Sequence, residues 1–244
     1  MTTLVVGASG ATGRLLVEQL LDHGEPVKII VRSLESVPIA LKQHSQLTIT
    51  VASLLDMTDA QLLEQVQGCR AVASCLGHNL TLKGMFGHPR RLVKNGVERL
   101  CQAIEKTLPD APVKFILMNT TGNQNNQAGE SVSKAQACVI GLIRHLLPPH
   151  ADNEEAAACL QTNYGANQTA IEWAVVRPDS LIDEETVTEY KAYPSPTRSA
   201  IFDAGKTSRI NVANFMSRLI LDPNIEQGIW KQWVRQMPVV YNLA

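Results

Sequence analysis

A short apolar run, Leu4-Val5-Val6, stops at Gly7 and passes through Gly7-Ala8-Ser9-Gly10-Ala11-Thr12-Gly13 directly into a helical pattern. A strand that feeds a helix through three glycines leaves little choice of local geometry. The glycines permit a tight turn, let the backbone approach another group closely, and let the helix pack hard on the sheet. The spacing is G-x-x-G-x-x-G rather than G-x-G-x-x-G, but the physics is shared. The exposed N–H groups and positive end of the helix dipole favour an anion, so the loop is predicted to hold the pyrophosphate of a dinucleotide.

The rest of the chain repeats this alternation. Residues 11–23 place Leu15, Leu16, Leu20 and Leu21 on one helical face, and Gly24 offers a C-cap. Short apolar runs at Val27–Val31, Leu47–Val51, 71–76, Val113–Met118 and 171–176 predict further strands. Between them come helical patterns beginning near Asp59, over 89–106, over 132–146 with a stop at Pro148-Pro149, and over 152–164. Asp152 with Glu155 three residues on has the form of a capping box. Residues 121–130 and 179–206 read as loops, followed by a helix over 212–221 and an apolar stretch over 234–241; Trp230, Trp233 and that stretch are available for an interface rather than an edge strand. The pattern predicts an α/β protein: a Rossmann-like doubly wound parallel sheet in a single domain, 1–244, with a core over about 1–182 and a small substrate-side extension over about 183–244.

Composition removes several classes. Lys and Arg number 22 against 23 Asp and Glu, a balance without the basic excess of a nucleic-acid binder. No apolar run reaches the ~20 residues of a bilayer crossing. The five cysteines form no C-x-x-C pair, which disfavours a disulfide framework or a zinc ribbon. With no basic leader before the first strand, the expectation is a cytoplasmic protein, monomeric or homodimeric, with no membrane and no nucleic-acid partner.

Arg32 ends the second predicted strand, where NAD binders usually carry an acid for the ribose hydroxyls. An arginine there suits a 2′-phosphate, with Ser33 as a second donor and Arg14 as a weaker alternative, so NADP is expected in preference to NAD. Gly7, Ser9, Gly10, Ala11, Thr12 and Gly13 complete the expected cofactor contacts.

On these motifs the chain resembles an atypical short-chain dehydrogenase/reductase, of the branch that includes flavin-reductase-like and nitrogen-repressor-like NAD(P)-binding proteins. Asp56 resembles the acid that caps the adenine ring. Ser74-Cys75-Leu76-Gly77 resembles the strand end beneath the cofactor ribose, which adds Leu76 and Gly77 to the cofactor contacts. Val93-x-x-Gly96 resembles the packing pattern of the following helix, and Arg177-Pro178 resembles the strand end near the nicotinamide, which adds Pro178. The resemblance covers residues 3–182 and implies a nicotinamide-dependent oxidoreductase.

One hallmark is missing. Carbonyl reducers of the wider family use Tyr-x-x-x-Lys, and none of Tyr164, Tyr190, Tyr193 and Tyr241 has a lysine four residues on. Thr120, in Met118-Asn119-Thr120-Thr121-Gly122, takes the serine-like position. Asn153 or Glu154 is a functional alternative to plain helix capping at the start of the 152–164 helix. In the segment 77–91, Arg90 and Arg91 oppose the dipole of the helix they precede, a broken local rule that hints at function. That segment is expected to present His78, Lys83 and Arg90 to an anionic substrate, and it has no metal-ligand spacing. The candidate catalytic set is therefore Thr120, His78 and Asn153. Three functions remain open: an NADP(H)-dependent oxidoreductase on a small carbonyl, quinone, flavin or sugar-like substrate; a non-catalytic NADP(H) sensor that binds a partner; and an epimerase with a transient hydride.

Overall fold

The computed structural model describes residues 1–78, 81, 87–165, 167, 170–223 and 228–243. Among the described residues ten strands are formed: β1 Thr2–Val6, β2 Val27–Val31, β3 Leu47–Val51, β4 Cys69–Ser74, β5 Val113–Met118, β6 Ile171–Pro178, β7 Ser180–Ile182, β8 Tyr190–Tyr193, β9 Lys206–Ser208 and β10 Val239–Asn242. Among the described residues the α-helices are α1 Ala11–Asp22, α2 Ile39–Lys42, α3 Asp59–Val66, α4 Leu92–Lys106, α5 Lys134–Leu146, α6 Pro148–Asn163, α7 Arg209–Leu221 and α8 Ile229–Trp233.

Eight strands build one sheet in the order β3-β2-β1-β4-β5-β6-β10-β8, and β7 pairs with β9 in a small second sheet. Every pair from β3 to β10 is parallel, and β8 alone runs antiparallel, against β10. A parallel sheet needs helical cover on both faces, and the period of two along each strand supplies it. Leu4, Val6, Val72, Phe115 and Val175 face one core, with Val93, Val97 and Leu100 of α4 and Leu160 of α6. Val5, Ala73, Ile116 and Val176 face the other, with Leu16 and Leu20 of α1 and Phe215 and Leu219 of α7.

The segment after 182 departs from the expected extension. Residues 179–206 contain β7 and β8 rather than loop alone. The apolar C-terminal stretch forms β10, an internal strand, while Trp230 and Trp233 are buried against α7 and so are not available as an interface. The reason is geometric: β6 would otherwise be an open edge, and an apolar strand covers it better than solvent does.

Two buried ionic groups lock this half of the fold. Arg177, fully buried on β6, forms a bidentate pair with Glu130, and its guanidinium also donates to the carbonyls of Asn123 and Met237. Lys114 of β5 donates to the carbonyls of Leu219, Ile220 and Asp222 at the end of α7, with its ammonium 5.0 Å from the centre of the Trp230 ring. It caps the negative end of that helix dipole from inside the protein.

Burial lowers the Lys114 ammonium from its ordinary value of 10.5 to about 8. Between those values the unfolded chain binds more protons than the folded one, so the contribution of Lys114 is fully present above 10.5 and is lost as the pH falls through 8. The stability of the wild type relative to Lys114→Met is expected to rise across that window, measured by urea unfolding at a series of pH values. A flat difference would contradict the buried-ammonium account.

Candidate functional site

The carboxyl ends of β1, β2 and β4 meet where the strand order reverses, the usual ligand position in an open α/β sheet. Gly7 leaves β1 with φ +74°, and a Cβ there would collide with the carbonyl group of Cys75. A Cβ on Gly13 would collide with the carbonyl oxygen of Gly7. The loop therefore lies against both the end of β4 and the first turn of α1. No described side chain caps α1, whose N-cap is Gly10. Its first-turn N–H groups are left to an anion.

A cavity of about 230 Å³ opens at this point, lined by Gly7, Ser9, Gly10, Ile30, Arg32, Ser53, Leu54, Leu55, Cys75, Leu76, Gly77 and Leu92 among others. It brings together six of the expected cofactor residues: Gly7, Ser9, Gly10, Arg32, Leu76 and Gly77. Arg32 is exposed at the rim. The others fall elsewhere. Ala11, Thr12 and Gly13 form the first turn of α1. Ser33 caps a short 3-10 helix and donates its hydroxyl to Glu35, so it is already engaged. Arg14 pairs loosely with Glu18. Asp56 is exposed in the turn after β3, outside the cavity lining, and that wall is supplied by Ser53, Leu54 and Leu55. Pro178 is buried at the end of β6, paired with Val240, and does not line this cavity.

Two further features were not legible in the motif. Arg99 of α4 donates to the carbonyls of Leu54, Leu55 and Met57, which fixes the turn that forms the adenosine-side wall. Burial pushes the Cys75 thiol up to about 12, so the cysteine on the cavity wall is not a thiolate nucleophile.

A second cavity, of about 510 Å³, lies farther along the same edge, beyond β5 and β6. Its lining includes Thr121, Gly122, Glu130, Ser133, Gln136 and Ile140 on one side and Thr197, Arg198, Ser199 and Phe202 on the other. Thr120, half-buried at the end of β5, accepts a hydrogen bond from the Gly122 N–H through its hydroxyl.

The start of the following helices corrects the expectations made for 77–91 and for Asp152. Asp152 is not an N-cap of its own helix, because α6 begins at Pro148 and the two prolines open that helix as well as closing α5. Its carboxylate is 1% exposed and instead accepts from the N–H groups of Val93 and Lys94, so it caps α4. It also lies 2.7 Å from His78 Nε2, and the His78 side chain is 4% exposed. His78 is therefore buried and held by a carboxylate rather than presented to a substrate. Pro89 precedes α4 rather than sitting in its first turn. Arg91 pairs with Glu155, and with Asp152 at the helix end the basic pair no longer breaks a rule. Arg90 is exposed, and Lys83 lies outside the described residues. Asn153 offers its backbone carbonyl to the Asn119 side chain.

Residues 7–223 match the NAD(P)H-binding family. The chain belongs to that family. It carries an NAD(P)H-binding domain, in keeping with the resemblance to the atypical short-chain dehydrogenase/reductase branch. No curated protein matches the sequence. Among solved structures, the oxidoreductase ylbE from Lactococcus lactis shares the fold at 18% identity and a TM-score of 0.68, covering 100% of this chain and 91% of that one. A short-chain dehydrogenase/reductase from Veillonella parvula DSM 2008, solved in complex with NADP, aligns at 15% identity and a TM-score of 0.69, covering 99% and 94%. ChuY, an anaerobillin reductase from Escherichia coli O157:H7, aligns at 15% identity and a TM-score of 0.68, covering 99% and 97%. Among the described residues no helix is long and apolar enough to cross a membrane.

Removing the Asp152 carboxylate strands two helix N–H groups and a histidine. Asp152→Ala is expected to lose about 3 kcal/mol of unfolding free energy, whereas Glu155→Ala, at an exposed ion pair, loses less than about 1 kcal/mol. Denaturant titration of the two variants decides between this arrangement and a local capping box, which would make the two losses similar.

Proposed function

We propose that the protein is an NADP(H)-dependent oxidoreductase that reduces a small carbonyl, quinone, flavin or sugar-like acceptor. The observation that carries this reading is the pair of cavities along one sheet edge. One is built on the glycine loop, Arg32 and the β4 end, and the other begins at Thr121 and Gly122 beyond the adjacent strand β5. When bound, the nicotinamide cofactor supplies a hydride; the chain supplies position.

The glycine loop and the first turn of α1 would hold the pyrophosphate. Arg32 would hold the 2′-phosphate, and its place at the rim of the cavity supports NADP over NAD. Thr120 is the nearest of the three candidate catalytic residues to the second cavity, and its hydroxyl would orient an acceptor oxygen. His78 and Asn153 have the structural engagements described above, which moves them down as reacting groups. An anionic acceptor remains part of the proposal, with exposed Arg90 beside the cofactor cavity and Arg198 in the second. Arg198 is itself paired with Asp203. We also infer a cytoplasmic location from the free cysteines. Monomer and homodimer are separated by sedimentation.

A second reading, a sensor in which cofactor occupancy controls a partner, is favoured by the missing Tyr-x-x-x-Lys. The epimerase reading is disfavoured by the same absence.

Fluorescence titration with NADPH and NADH tests the central assignment. NADPH is expected to bind more tightly, and Arg32→Glu is expected to weaken NADPH by about 10- to 100-fold while leaving NADH within a few-fold, the size of one charge-assisted contact. Equal affinities in the wild type would remove Arg32 from the 2′-phosphate. NADPH binding without consumption against quinones, flavins and aldehydes would favour the sensor.

A further inference from the structure

We propose that His150 is the proton-donating residue of this site, oriented by Glu154 and acting beside the Thr120 hydroxyl. The inference rests on the reductase reading and supplies the acid that reading lacks.

The argument is one of placement. His150 lies in the first turn of α6, at the carboxyl edge of the sheet. The point that a Cβ on Gly122 would occupy is 3.1 Å from His150 Cε1, 3.7 Å from His150 Nδ1 and 3.8 Å from Thr120 Oγ1. Imidazole and hydroxyl thus pack on the bare face of Gly122, which lines the 510 Å³ cavity, and they lie one layer behind that lining. A side chain at 122 would push the ring aside.

The ring is also set up electrostatically. Its side chain is 12% exposed, and Nε2 is buried with no aligned hydrogen-bond partner among the described residues. Glu154 Oε1 lies 3.4 Å from that nitrogen, one helical turn on, close enough for charge coupling. Arg144 of α5 holds the same carboxylate in a bidentate pair at 2.6 and 2.9 Å. Burial alone would raise the Glu154 carboxyl, but the neighbouring His150 and the hydrogen-bonded Arg144 hold it below the usual range. The groups around His150 among the described residues are thus Glu154 on its own helix, Arg144 through that carboxylate, and the uncharged Thr120 and Gly122 from the β5 end.

When bound, the nicotinamide would supply a hydride to the acceptor carbonyl carbon, and the C=O π pair would move onto oxygen. That oxygen would take the His150 proton to become a hydroxyl, and solvent would return a proton to the imidazole. Thr120 donates a hydrogen bond to the same oxygen.

The test compares wild type and His150→Gln with NADPH and two acceptors, 4-nitrobenzaldehyde and 9,10-phenanthrenequinone. The aldehyde depends on an acid more than the quinone does. His150→Gln is expected to lower kcat for the aldehyde by about 100-fold, the scale of general acid catalysis, with far less effect on the quinone and on the Kd for NADPH. The aldehyde rate of the wild type is expected to depend on pH, and that dependence to disappear in His150→Gln. Equal slowing of both acceptors, or an unchanged pH profile, overturns the inference. Histidine NMR gives a readout apart from turnover: the resonance missing in His150→Gln should shift on addition of 4-nitrobenzaldehyde to the NADP⁺-saturated protein. If wild type consumes NADPH with no acceptor, the reductase reading fails, and a His150 signal indifferent to the aldehyde then removes this inference as well. If that signal responds, His150 faces the ligand whatever the chemistry.

Discussion

A single buried carboxylate organises the middle of the site. Asp152 sits on α6, yet its two oxygens serve the first turn of α4 and the imidazole that follows β4. A helix N-terminus buried without a partner would leave N–H groups in an apolar setting at a cost of about 1–3 kcal/mol each. Because the partner comes from another helix, α4 cannot be placed independently of α6. Glycine 96, whose face lies against Leu76 and Leu54, then seats α4 on both walls of the cofactor cavity. Arg99, farther along α4, ties the β3 turn to the same helix. One carboxylate thus relates the adenosine wall to the end of β4.

The Arg177–Glu130 pair does the corresponding work on the other cavity. Glu130 lines that cavity, and its guanidinium partner is held at the same time by the 121–130 loop and by the Met237 carbonyl just before β10. A buried charge pair is weak evidence for stability, because desolvation offsets attraction, and removing one member is far costlier than replacing both. Its effect here is positional: the loop after β5 has few apolar anchors, and the ion pair gives it one conformation.

What was legible in the residues is what local physics determines. The glycine loop and the β1-to-β5 alternation follow from short apolar runs and from positions where only a bare backbone fits. Arg32 was placed by its distance along that pattern. What was not legible depends on partners remote in the chain. Asp152 followed by Glu155 has the same local spelling as a capping box, and nothing nearby says that the recipient is Val93. Pro148-Pro149 reads locally as a stop, although proline in a first turn also starts a helix, and that reading hides His150 and Glu154 as an i, i+4 pair on one face. Asp56 has the expected type but lies outside the cavity, because Arg99 draws the backbone of that turn toward α4. The C-terminal strand was open between interface and sheet, since an apolar stretch alone does not name its neighbour.

The position of β10 has a consequence for how the chain is made. Among the described residues, β8 reaches the main sheet through β10, and β10 closes the side of β6. During synthesis, β8 waits for a ladder partner that comes later in sequence, and β6 keeps a free edge until β10 arrives. An exposed edge on a part-made chain is where pairing with another chain starts, so the last strand shields the sheet only once it has left the ribosome.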